Sequence, residues 1–173
     1  MSMRFWSVLA LAAATTGLAA CGQQAEETTQ APEAAPEGLP GITITNGRLV
    51  LPAVTGNPAA LYFDISNAPD SAIPVLVRGV SVDGAGSAMF HETTEADGVM
   101  SMGPVDQLEI SPGSTISLAP GGYHVMAMEL AETLAAGDTT EVTLTFEGGD
   151  KTSFPAEVRA AGDAGVADMG AMD

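Results

Sequence analysis

Cysteine is almost missing from this chain: there is one, Cys21, in 173 residues. An internal disulfide framework is therefore impossible, and so is any zinc or iron–sulfur centre built from several thiolates. A blue-copper electron carrier needs a thiolate ligand and a thiol–disulfide enzyme needs a Cys-x-x-Cys pair, so neither is expected. Histidine is nearly as scarce, with two residues, which leaves little room for imidazole-based catalysis. There is no nucleophile-elbow sequence either, and the chain is not expected to be an enzyme. Basic side chains number 5 against 22 acidic ones, a formal charge of -17 that repels phosphate backbones and excludes nucleic acid as a partner. What the chain has in excess is methionine, nine in all.

The first twenty residues read as an address. Met1 to Arg4 is a short basic start, Phe5 to Leu11 an apolar run, and Ala12 to Ala20 a small-residue stretch: a secretory signal, too short and Ala-rich for a membrane span. Leu18-Ala19-Ala20-Cys21 resembles a bacterial lipobox, which implies cleavage before Cys21 and lipidation of its sulfur. An ordinary signal peptide with an incidental cysteine, or a cytosolic protein with an apolar start, is the alternative. Residues 21–40 are then a lipidated Cys and a Pro/Glu/Ala linker with almost nothing to bury, and residues 161–173 a Gly/Ala/Asp tail of the same kind. Residues 41–160 remain as a single domain, long enough for one core. The expected location is the bacterial envelope, on the periplasmic side of a membrane that holds the lipid anchor.

Inside that domain the apolar period is two. Residues 41–45, 60–65, 73–77, 114–118 and 141–146 are short β-rich or alternating runs. Turn signals fall between them at Asn46-Gly47, Asn67 to Asp70, Asp83-Gly84, Asp97-Gly98, Pro112-Gly113, Pro120 to Gly122 and Glu147 to Asp150. The pattern predicts an all-β sandwich or small barrel. The window 129–136 is the only helix-like one and predicts a turn of helix at most.

Both histidines sit among five of the methionines. Met89-Phe90-His91 is followed by Met100-Ser101-Met102, and His124-Val125-Met126-Ala127-Met128 forms a second cluster. A four-residue hairpin loop at Glu95 to Gly98 would pair Thr94 with Val99 and set His91 opposite Met102, with Met100 two positions along the same face. His124, Met126 and Met128 share a face if their segment is extended. Imidazoles with thioethers suit Cu(I), a soft ion, and suit hard cations poorly. Methionine is also a common filler of cores, and the same spacing describes the buried face of a strand. The residues by themselves leave both readings open.

The spacing His91-x10-Met102-x21-His124-x-Met126 resembles the signature of the PCu(A)C-type periplasmic copper chaperones. The neighbouring text is similar too: Met89 to Thr94, Asp97 to Met102, Pro120 to Met126, Gly137 to Phe146 and the upstream run Leu61 to Asn67. The resemblance implies a cupredoxin-like fold that holds one Cu(I) near its surface through His91, Met102, His124 and Met126. Met89, Met100 and Met128 lie near these ligands but outside the motif. Some relatives carry a His/Met-rich tail for further copper; here the tail has Met169 and Met172 and no His. The family role implies delivery of copper to an acceptor outside the cytoplasm, cytochrome c oxidase subunit II at its CuA centre or another copper chaperone. Copper buffering or resistance, with the same site and no acceptor, is one alternative; an envelope lipoprotein with no metal is another. The 15 acids and 4 bases of residues 41–160 either favour a basic partner or keep the domain soluble.

Overall fold

The alternating runs become strands that present one face to a core and one to solvent. In the computed structural model, which describes residues 38–162, there are ten. They are β1 (Ile42–Val50), β2 (Ala59–Asn67), β3 (Val75–Val82), β4 (Ala85–Ala96), β5 (Val99–Pro104), β6 (Leu108–Ile110), β7 (Thr115–Leu118), β8 (Tyr123–Leu130), β9 (Thr139–Phe146) and β10 (Lys151–Arg159). The signal, Cys21 and nearly all of the linker and tail lie outside the described residues. No helix occurs among the described residues; the window 129–136 finishes β8 and continues as turns. Ile73, expected within a strand, precedes β3 and is exposed.

The strands follow one continuous path, β5-β4-β8-β2-β1-β10-β9-β3-β6, with β7 pairing on β2 beside β8. The path folds over on itself, so that Phe63 of β2 meets Phe154 of β10 with ring centroids 5.0 Å apart and planes at 57°. Leu61, Ile65, Val77, Val125, Val142 and Leu144 are fully buried between the two halves. This is the cupredoxin-like all-β class.

β1 belongs to both halves. It runs antiparallel to β2 along its length, and residues 48–50 also pair in parallel with residues 157–159 of β10. The expected turn at Asn46-Gly47 is instead a bulge inside β1, where the register with β2 shifts between Thr45 and Arg48. Asn46 takes the left-handed conformation (φ 59°) that its short polar side chain tolerates, and its Nδ2 donates to Asp64 Oδ2 at 2.6 Å. Gly47 is required for space: a Cβ there would stand 2.7 Å from the Pro155 carbonyl oxygen and 3.0 Å from the Phe154 ring. The same dipeptide chemistry serves a bend within a strand as well as a hairpin, and only the partner strands decide which. Ahead of β1, Leu39 donates its N–H to Thr152 Oγ1 at 2.9 Å and packs against the core.

Candidate metal centre

β8 shows how the site is separated from the core. Val125 and Ala127 point inward and are fully buried, so the alternate residues His124, Met126 and Met128 share the outer face. On β4, Phe90 is the core residue and Met89, His91 and Thr93 face outward. The antiparallel register places His91 opposite His124 and Met89 opposite Met126. The two imidazoles lie 5.9 Å apart between centroids, at 47°. β5 lies on the far side of β4 and brings Met102 to the same face, opposite Thr93.

That last pairing corrects the expected hairpin. The loop has two residues, Asp97-Gly98, with Ala96 paired to Val99, so His91 stands opposite Pro104 and Met102 lies diagonal to it. Asp97 (φ 54°) and Gly98 (φ 76°) are both left-handed, the conformation of the two-residue turn whose twist matches its strands. The shift from the expected register is two residues. Because side chains alternate with period two, Met102 and Met100 keep the His91 face.

The imidazoles are held differently. Ala119 to Gly122 form a tight turn with Pro120 and Gly121 (φ 85°) in its centre, closed by the Gly122 N–H donating to the Ala119 carbonyl at 3.1 Å. The Gly122 carbonyl accepts from Thr93 N–H at 3.1 Å and lies 3.0 Å from His124 Nδ1. With Nδ1 donating there, Nε2 keeps its lone pair for a ligand. His91 makes no such bond: both ring nitrogens are shut off from solvent and have no hydrogen-bond partner. Lost hydration, and after it the neighbouring His124 ring, hold the His91 pKa below the ordinary histidine range. A half-buried imidazole kept neutral, with both nitrogens enclosed and unpartnered, fits a ring that accepts a metal.

Met102, His124 and Met126 line one open depression of about 220 Å³, together with Ala60, Tyr62 and Thr93. His91 borders it through the His124 ring. Tyr62 is buried below the guanidinium of Arg48, 5.1 Å from its centroid, and forms a rigid wall. The structure therefore gathers His91, Met102, His124 and Met126 on one face; Cys21 lies outside the described residues. Among the described residues no methionine belongs to the core cluster, and Met89, Met100 and Met102 are 40%, 60% and 56% exposed. Core filling does not account for them. Among the described residues no three His, Cys, Asp or Glu side chains converge on a possible ion, so the donor set is soft rather than hard. The Gly122 carbonyl and the Tyr62 wall were not foreseen from sequence, although the Pro-Gly-Gly turn immediately before His124 is the signal for the first.

Residues 42–158 match the model of a family described as "Putative lipoprotein LpqE-like". A putative lipoprotein of Leifsonia xyli subsp. xyli is 29% identical over 150 residues, covering 86% of each chain. Among solved structures, the copper-bound PCuAC domain of PmoF2 superposes with a TM-score of 0.57 at 26% identity, over 72% of this chain and 97% of that one. The Cu(I) form of DR1885 from Deinococcus radiodurans gives 0.56 at 28%, over 76% and 85%. The chain thus resembles PCuAC domains in fold and sequence, and it belongs to the LpqE-like family.

Proposed function

We propose that this chain carries Cu(I) outside the cytoplasm, held by His91, Met102, His124 and Met126, and passes it to an acceptor. The observation that carries the reading is the gathering of two imidazoles and two thioethers on the outer face of β5, β4 and β8, one imidazole with both nitrogens unpartnered. All four donors are neutral, so the bound ion keeps its charge of one and no thiolate locks it in place. Release proceeds by ligand exchange. Met102, more than half exposed and on the edge strand β5, is the donor an incoming cysteine displaces first; His124, buried and tied to Gly122, is the last to let go. Anaerobic titration of the domain with Cu(I) against a chelator is expected to give one tightly held ion, with X-ray absorption reporting nitrogen and sulfur neighbours. If replacing all four residues left binding as tight as in the natural chain, the assignment would be wrong.

The proposed setting is a lipid anchor at Cys21 facing the periplasm, supported by the lipobox-like sequence and by the lipoprotein names of the family and of the Leifsonia relative. The proposed destination is assembly of the CuA centre of cytochrome c oxidase, which rests on the family resemblance. Deletion of the gene tests it: delivery predicts an oxidase defect rescued by added copper, whereas copper sensitivity with normal oxidase would indicate buffering.

A further inference from the structure

Three outward methionines are not used by the four-donor site, and two of them, Met89 and Met128, adjoin Met126. Met89 stands directly opposite Met126, and Met128 lies two residues beyond Met126 on the same face of β8. Directly opposed residues have Cβ atoms about 4.5–5.5 Å apart and diagonal ones about 7–8 Å, both within the joint reach of two long side chains. Met89, Met126 and Met128 thus make a triangle of thioethers adjoining the His91–His124 pair. The residues opposite are small: Ala60 of β2 faces Met126 and Ser87 of β4 faces Met128. None of the three methionines is part of the core cluster, and Met89 is 40% exposed. Flexible thioethers kept at the surface with small neighbours can turn toward a common ion.

We infer a second, all-thioether Cu(I) position formed by Met89, Met126 and Met128. It rests on the Cu(I) reading of the first site and, because Met126 belongs to both, the two positions are alternatives for one ion. In moving from the first to the second, Cu(I) gives up His91, His124 and Met102, keeps Met126, and gains Met89 and Met128. All donors are neutral, so neither a proton nor an electron changes hands. The second position is a stop along the outer face of β8 for an ion entering or leaving.

The test uses the full chain with 13C-methyl-labelled methionine and Cu(I) added without oxygen. In the natural chain the Met102 and Met126 methyl signals and both imidazoles shift with the first equivalent, and the Met89 and Met128 methyls shift and broaden with them through exchange. A His91→Gln, His124→Gln variant is expected to retain Cu(I) about tenfold or more weakly, with Met89, Met126 and Met128 as the responding methyls. Adding Met89→Leu and Met128→Leu to it then abolishes binding. Met89 and Met128 signals that stay in place in the natural chain overturn the inference, and that spectrum decides alone if the histidine variant does not fold. A failure of the imidazoles and Met102 to respond would instead remove the first site, a separate outcome.

Discussion

The two imidazoles at the centre of the outer face are held differently, and His91 has the looser hold. His91 is desolvated and sits against a second imidazole, so its folded-state pKa lies below the ordinary value of about 6.5. The folded form prefers the neutral ring; this contribution to stability is full above the unfolded pKa and is lost as pH falls through the lower folded one. Denaturation of the metal-free domain is therefore expected to show a loss of stability between pH 7 and 5 that His91→Gln reduces. The same neutrality keeps protons from competing for the ring at neutral pH, so Cu(I) affinity should hold steady down to the ordinary histidine range and decline below it. For Met102, exposed and outside the core, exchange to Leu conserves volume and is expected to leave the melting temperature unchanged. Chelator competition should nonetheless show Cu(I) affinity lowered by at least about tenfold, since even changes in residues behind a ligand cost about 10–100-fold.

At the scale of strands and turns, two glycines separate backbone cost from crowding. A Cβ at Gly98 would meet nothing within 4 Å, so Gly98→Ala pays only for a left-handed backbone, about 1–2 kcal/mol, in the hairpin that carries Met102. At Gly47 a Cβ would press on the Pro155 carbonyl and the Phe154 ring, and Gly47→Ala is expected to cost about 1–3 kcal/mol of overpacking at the bulge of β1. Chemical denaturation of both variants measures this, and Cu(I) affinity should fall only for Gly98→Ala. Much of the element map was legible: β1, β2, β7 and β9 follow from alternation, and Asp97-Gly98 was visible as a turn. Its length was not, because four-residue and two-residue loops share the signal and differ only in where the left-handed residues fall. β10 escaped because Pro155 interrupts the run and its inward residues Thr152 and Ala156 are weakly apolar; at Pro155 only β9 is paired, so the missing N–H is harmless. That His91, Met102, His124 and Met126 share one face was legible from spacing because parity survives a two-residue slip, whereas the Gly122 carbonyl was not, being a backbone atom with no sequence identity of its own.

Across the whole molecule, charge is divided unevenly. The four basic residues of the domain sit on β1 (Arg48), β3 (Arg78) and β10 (Lys151 and Arg159), while β4, β5 and β8 carry Glu92, Glu95 and Glu129 with no basic residue. Arg78 pairs with Glu147 at 2.6 Å and Arg159 with Glu157 at 2.9 Å, both at the surface, so these bases offset few of the carboxylates. Self-repulsion should then oppose the compact state, and thermal melts in 10 mM and 300 mM salt (about 30 Å and 6 Å of screening) are expected to show a higher melting temperature in the second. A melting temperature indifferent to salt would mean that the carboxylates are too dispersed to matter.

The alternation along β8 has a consequence for how such a domain changes over generations. Residues 125 and 127 pack into the core, and 124, 126 and 128 lie on the opposite face of the strand, so selection on one set leaves the other almost untouched. Outward positions can drift toward other donors, gain a methionine such as Met89, or lose one, while the inward ones go on specifying the same architecture. Ligand preference and foldability are inherited on opposite sides of the same strand.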